Sequence, residues 1–313
     1  MTSDSSATSR ETANVVCVAS WNADLVSHVA RPIARGETLM ARAFDISPGG
    51  KGSNAAVAAA RQGARVALIA RIGDDDFGRM GMDLWNAEGI ATAHVERVAG
   101  ERSGVAQVLV YDDGDNSIAV YPGAGAGLGA RHAQAATELL THCRVVMASC
   151  EVPVEATLQA FRLARQGNAI TVLNPAPARP LPEELQALTD VLTPNESELY
   201  QLAGPAHSES IDAAAMQLLA RGTRAVLVTL GAAGCRLYQP GLPPVELAGR
   251  RMPVADTIGA GDTFTGTLAA ALARGESLQA AMQWANAAAA LSVTRHGAVS
   301  GIPTTAEVAA LLG

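Results

Sequence analysis

The sequence predicts an α/β protein: three layers, helix–sheet–helix, around a mostly parallel central sheet, with a small β-sheet beside it. Three observations carry this. Short β-branched runs alternate with Ala/Leu-rich helical stretches through most of the chain, the pattern of repeated strand–helix crossovers. The runs are apolar throughout rather than alternating, as strands covered on both faces require. Two stretches leave this alternation and read as β-ribbons.

Taken in order, residues 1–13, MTSDSSATSRETA, are polar and lack the apolar segment of a signal peptide. They read as a disordered tail ahead of one α/β domain over 14–313. Strands are expected at Val15–Ala19, Val66–Ala70, Val145–Ala148, Ile170–Leu173, Val191–Thr193 and Ala225–Leu230. Helices are expected at Ser53–Gln62, Phe77–Glu88, Val154–Gln166 and Ala213–Arg221. Each stops at a glycine, the residue that takes the left-handed conformation after a helix without a Cβ clash. The ribbons are Asn22–Ser47 and Ser103–Tyr121; the second holds two strand-like runs around DDGDN, a hairpin signal. Together they read as one small sheet that covers a cleft, or else as ordinary surface hairpins. The C-terminal third is helical: Thr263–Arg274, Leu278–Thr294, and a last helix opened by Thr304 with Glu307 three residues on, a capping box.

Composition narrows the function. The 313 residues are 49% hydrophobic and 17% charged, too apolar for a largely disordered chain. A net charge of −7 with 4% aromatics lacks the basic footprint and stacking residues of a nucleic-acid binder. No apolar stretch reaches the roughly 18 residues of a membrane span. The four cysteines, Cys17, Cys143, Cys150 and Cys235, form no CxxC pair and read as reduced thiols of a cytoplasmic protein.

Four motifs bear on chemistry. Pro48-Gly49-Gly50-Lys51-Gly52-Ser53-Asn54 precedes an Ala-rich helix. It fails as a P-loop because Gly52 stands where Ser or Thr is needed. It is either a turn where a ligand approaches backbone amides or a plain glycine turn with a surface lysine. In Asp256-Thr257-Ile258-Gly259-Ala260-Gly261-Asp262, small residues precede an acid at a helix start. Free helix N-terminal amides bind phosphate oxygens, and a carboxylate beside them can take a hydroxyl proton; the alternative is that Asp262 only caps the helix. Asn195 and Glu198 in TPNESE share a helix face, suited to the water shell of Mg²⁺ or to capping. In Thr229-Leu230-Gly231-Ala232-Ala233-Gly234 a strand ends in a glycine loop, the usual place for ligands in open α/β sheets. PGAGAGLGA at 122–130 only faintly mimics a dinucleotide fingerprint.

The order and wording of these motifs resemble the PfkB-type carbohydrate kinases, over about Val15 to Leu312. The resemblance rests on Asn22-Ala23-Asp24, GGKGSN, IGDDDFG, NPAPA at Asn174–Ala178, TPNESE, TLGAAG, DTIGAGDTF and AAAALSVTRHGA. It implies ATP-dependent phosphorylation of a sugar's primary hydroxyl with Mg²⁺. The nearest branch acts on D-ribose at O5 to give ribose 5-phosphate; the alternative is a nucleoside or another sugar. A nucleotide-sensing scaffold that has lost catalysis is disfavoured by the intact Asp262. By this resemblance Asp262 is the general base, and the amides of Gly259, Ala260, Gly261 and Asp262 form the anion hole. The sugar is bound by Asn22, Ala23, Asp24, Gly50, Lys51, Gly52, Ser53, Asn54 and Glu151. Nucleotide contacts fall to Asn195, Thr229, Leu230, Gly231, Ala232, Ala233, Gly234 and Asn286, and Glu198 acts on the metal's water. A monovalent-cation site for K⁺ maps to Asp256, Ile258, Ser292, Arg295, Gly297 and Gly301. Segments of about 22–48 and 103–122 form a lid through which two chains pair as a homodimer. The sequence departs from the family at Gly301, where Ser is usual, at Gly125, where Asn is common, and at Gln107, where an aliphatic residue is common.

Overall fold

The computed structural model describes residues 13–205 and 210–313; most of the expected N-terminal tail, residues 1–12, lies outside them. The strands are β1 Val15–Val18, β2 Asn22–His28, β3 Ala43–Gly49, β4 Val66–Gly73, β5 Ala91–Val98, β6 Gly104–Val110 and β7 Asn116–Tyr121. There follow β8 Val145–Ser149, β9 Ile170–Asn174, β10 Val191–Leu192, β11 Ala225–Thr229, β12 Gly234–Tyr238 and β13 Val245–Ala248. The helices are α1 Lys51–Arg61, α2 Asp76–Ala87, α3 Ala130–Ala135, α4 Thr137–His142, α5 Val154–Gln166 and α6 Glu183–Leu188. The rest are α7 Glu196–Ala203, α8 Ile211–Ala220, α9 Ala260–Ala273, α10 Leu278–Ser292 and α11 Thr305–Leu312.

Nine strands form one sheet in the order β13-β12-β11-β10-β9-β8-β1-β4-β5. From β5 to β11 all neighbours are parallel, and β12 and β13 add an antiparallel edge. The central strands β1 and β8 are fully buried, which explains their uninterrupted apolar runs. One face packs against α1, α9 and α10 through residues such as Ala56, Phe264, Leu268 and Met282. The other packs against α5, α7 and α8 through Phe161, Leu199 and Leu218. The three layers expected from the sequence are therefore present.

The two ribbons join as a second sheet, β3-β2-β6-β7, in which β2 and β6 run parallel. Its register places Leu25 opposite Gln107, and Asp24 opposite Ala106. Side chains alternate faces along a strand, so Gln107 lies on the face away from Asp24.

Two differences from the sequence reading have physical causes, and one motif that the sequence left without a form acquires one. Gly63, Gly89 and Gly222 take positive φ after their helices, but after α5 the left-handed residue is Asn168, at φ 57, while Gly167 sits at φ −92. Gly167 is there for space, because a Cβ would overlap the Thr141 carbonyl at the end of α4. Strand β5, ATAHVERV, has no apolar run because it is a half-exposed edge whose Glu96 pairs with Arg71 and Arg131. PGAGAGLGA forms a 3₁₀ turn at Gly123–Gly127, fastened by Arg71 Nη1 donating to the Ala124 carbonyl at 2.6 Å.

Candidate active site

The chemistry-bearing segments gather at the C-terminal ends of the parallel strands. Residues 19–21 follow β1, Glu151 follows β8, Asn174 ends β9, Asn195 follows β10, and 229–234 follow β11. The N-termini of α1 and α9 face the same end. Open α/β sheets bind ligands there because the crossovers leave a crevice beyond the strand carboxyl ends.

Helix α9 starts on Gly259, which holds φ 76 and supplies no side-chain cap. Ala260 N–H donates to the Thr257 carbonyl and Thr263 N–H to that of Gly259. The amides of Gly261 and Asp262 fall in the first turn, where helix geometry offers no partner. A Cβ on Gly261 would meet nothing within 4 Å, so the space over these amides is open. Asp262 does not cap the helix. Its Oδ2 accepts from Asn54 Nδ2 at 2.9 Å and its Oδ1 from Asn174 Nδ2 at 3.4 Å. It is 5% exposed. Burial pushes its carboxyl up to about 6, while Lys51 and the Asn54 amide pull it down. The outcome is a carboxylate that is ionised near neutral pH yet ready to accept a proton.

Helix α1 opens from Gly50, at φ 89, whose Cβ would lie 2.8 Å from the Ser20 carbonyl. A Cβ on Gly52 would lie 2.6 Å from Ala19 Cα. Both glycines let the helix start press against the end of β1. The Lys51 ammonium is held charged mainly by Asp262, and further by Glu151, Glu198 and Asp24, against its burial. Asp24 is pushed up to about 7 by burial, then by Glu151 and Asp262, with Lys51 opposing. The Lys51 charge thus opposes those of four carboxylates, Asp262 foremost. Asn22 is buried, its side chain against Gly104. The Asn54 Oδ1 is buried without a partner.

Two expected sugar contacts are placed elsewhere. Ser53 is fully buried, with its hydroxyl accepting from Trp85 Nε1 at 2.9 Å and its N–H donating to the Ser20 carbonyl. Ala23 is also fully buried, its neighbours in the sheet being Pro48 and Val105. Neither side chain reaches the cleft.

Beyond β10, Asn195 and Glu198 form a reciprocal capping box, each side chain accepting from the other's N–H at 2.8 Å. Asn195 also bridges to Thr229. Leu230 N–H donates to the Gly234 carbonyl, leaving Gly231, Ala232 and Ala233 exposed at the loop tip. Asn286, on α10, donates to the Ala248 carbonyl at 3.1 Å. Near the end of α10, the Asp256 carboxylate holds the N–H groups of Ile258 and Gly297. A Cβ on Gly301 would lie 2.7 Å from the Ser292 carbonyl oxygen, 3.0 Å from that of Gly297 and 3.6 Å from that of Arg295. Three carbonyls therefore converge on the space that a side chain at 301 would fill. The Ser300 hydroxyl does not replace it, since it donates to the His296 carbonyl.

Two residues escaped the sequence reading as site members. Ser20 hydrogen-bonds Glu151 and Gly52, and Asn174 reaches Asp262. Asn174 opens the NPAPA segment, which was a signal without a role; Ser20 carried none. Among the described residues no three His, Cys, Asp or Glu side chains cluster closely enough to hold a metal ion by themselves, and no helix is long and apolar enough to cross a membrane. All four cysteines are free and buried.

Comparison with known proteins agrees with this geometry. The family model for pfkB family carbohydrate kinases matches residues 12–305. A ribokinase of Haemophilus influenzae is 38% identical over 290 residues, covering 92% of this chain and 94% of its own. A ribokinase of Bacillus subtilis is 36% identical over 299 residues, covering 96% and 99%. The structure of Arabidopsis thaliana ribokinase complexed with ribose and ATP superposes with a TM-score of 0.90 at 31% identity, covering 96% of this chain and 99% of that one. A match over nearly the whole chain, with an unblocked helix mouth and a buried carboxylate beside it, makes this protein a member of the PfkB family of carbohydrate kinases.

Proposed function

We propose that this protein transfers the γ-phosphoryl group of ATP to O5 of D-ribose, giving ribose 5-phosphate and ADP. The observation that carries the reading is Asp262, buried and unengaged in capping, beside the unpartnered first-turn amides of α9. Asp262 accepts the O5 proton, O5 bonds to the γ-phosphorus, and the bond to the β–γ bridging oxygen breaks. The amides of Gly261 and Asp262 and the Lys51 ammonium stabilise the negative charge in flight. Asn22, Asp24, Asn54 and Glu151 bind and orient the sugar hydroxyls, rejecting analogues that leave them unpaired. Asn195, the 229–234 loop and Asn286 line the nucleotide side.

Mg²⁺ bound to the nucleotide would neutralise phosphate charge. Glu198 fits it as a half-exposed hard-oxygen donor acting through water, in keeping with an ion that retains several waters. K⁺ fits the carbonyls of Ser292, Arg295 and Gly297, with Asp256 and Ile258 beside them and Gly301 supplying no side chain. The small sheet acts as the lid. Its edge strands β3 and β7 carry exposed Phe44, Ile46, Ile118, Val120 and Tyr121, and open apolar edges are costly to leave unpaired. This supports a homodimer through the lid.

The test is sugar-dependent ADP formation over D-ribose, 2-deoxy-D-ribose, other pentoses and nucleosides. D-ribose is expected to give the highest kcat/KM. The deoxy sugar belongs in the panel because deoxyribokinases are also relatives, at 35% identity. Turnover of nucleosides or other sugars with none on ribose overturns the assignment.

A further inference from the structure

We propose that Ser20 is a positioning residue for the sugar site, acting through Glu151; this rests on the sugar-kinase reading above. Helix α1 begins on a glycine with no side chain to cap it. Its first amides are met instead by two distant segments. The Ser20 hydroxyl accepts from Gly52 N–H at 3.1 Å and donates to Glu151 Oε2 at 2.6 Å. The same Glu151 oxygen accepts from Lys51 N–H at 2.8 Å, and the Ser20 carbonyl accepts from Ser53 N–H at 3.1 Å. Ser20 is 9% exposed, so its hydroxyl is committed as donor and acceptor within the protein and is not itself a sugar ligand.

The consequence falls on Glu151. Its Oε2 is fixed by two donors, while Oε1 takes no hydrogen bond from any described residue and the side chain is only half-buried. A carboxylate pinned through one oxygen presents the other in one direction, and short charge-assisted bonds are the ones that hold such an orientation. Ser20 also sits between β1 and β2, where the chain leaves the main sheet for the small one. One hydroxyl thus ties the root of the small sheet, the start of α1 and the loop after β8 into a single arrangement that aims Glu151.

The test is a double-mutant cycle on the full chain with Ser20→Ala and Glu151→Ala, using the sugar the wild type turns over best. Ser20→Ala is expected to raise the sugar KM about tenfold, the loss of about 1.4 kcal/mol for one charge-assisted hydrogen bond. The expected change in kcat is less than about threefold and in the ATP KM less than about twofold. In the Glu151→Ala background, Ser20→Ala is expected to change the sugar KM less than about twofold, because its route is already gone. Additive effects on the sugar KM, or equal losses in kcat and both KM values, overturn the proposal and leave Ser20 a fold residue. If Ser20→Ala does not fold well enough for kinetics, Ser20→Cys, close in size and a weaker donor, takes its place in the same cycle, and the same outcomes decide. A wild type that turns over no sugar instead removes the kinase reading, and this proposal with it.

Discussion

Replacing Asp262 with asparagine separates what its carboxylate does for catalysis from what it costs the fold. Burial disfavours the charge of the folded carboxyl and pushes it up to about 6, from an ordinary value of 3.8. Between those two values the folded state binds more protons than the unfolded chain. Stability therefore falls as pH rises from about 4 to about 6, and stays reduced above that. A shift of about two pKa units corresponds to a cost on the order of 3 kcal/mol at pH 7. Asp262→Asn removes the charge at nearly constant shape. The Asn54 amide, whose Oδ1 is buried without a partner, can rotate to accept from the new amide. The variant should melt several degrees above the wild type at pH 7, and the difference should vanish near pH 4. Turnover should fall by about 10²- to 10⁴-fold, the usual scale for losing a positioned general base, with a smaller change in sugar affinity. In the wild type, kcat/KM, which reports the free enzyme, should fall as pH drops through about 6 and Asp262 takes up its proton. The assays are thermal melts at the two pH values and ADP release across the pH range. Undiminished turnover removes Asp262 from the base role; a variant that melts below the wild type at pH 7 refutes the buried-charge argument.

Three further predictions rest on separate features. Asp24 is raised to about 7 by burial and then by Glu151 and Asp262, so its acceptor charge is lost as pH falls through 7. The sugar KM should rise below pH 7 while the ATP KM does not follow, and Asp24→Asn should give a high sugar KM without that slope; initial-rate kinetics from pH 6 to 8 check this. Gly301→Ser puts a Cβ 2.7 Å from the Ser292 carbonyl oxygen and 3.0 Å from that of Gly297, so these carbonyls must shift to admit it. The K⁺ dependence should change, read both as half-maximal activation and as K⁺-dependent protection against thermal unfolding; identical K⁺ dependence would show that Gly301 does not face a cation site. Gly266→Val puts side-chain atoms into the Ala55 carbonyl and against Ala58 Cβ, where α9 crosses α1. Overpacking there should destabilise the protein by about 3 kcal/mol or more, and a melting temperature within about 2 °C of the wild type would contradict the close approach.

The sequence by itself determined the layers and the order of the strands in the chain, because burial on both faces writes itself as unbroken apolar runs such as VVCV of β1 and VVMAS of β8. It also marked the two glycine-flanked helix starts, expecting them at Ser53 and Thr263 where the structure has Lys51 and Ala260; that the glycines admit close approaches there is visible only in the packing. Where pairing or contact between distant segments decides the matter, it was silent. The half-exposed edge β5 has no pattern to show, because edges need no apolar run. The face on which Gln107 lies follows from the β2–β6 register, which no local signal encodes. Ser53 stood within the glycine motif, yet the tertiary structure turns its hydroxyl to Trp85, 32 residues away. Ser20 and Asn174 lie 131 and 88 residues from the carboxylates they hold. A hydrogen bond across that separation leaves no periodicity or spacing in the chain, and only the packing of α1 and α9 over the strand ends brings those partners together.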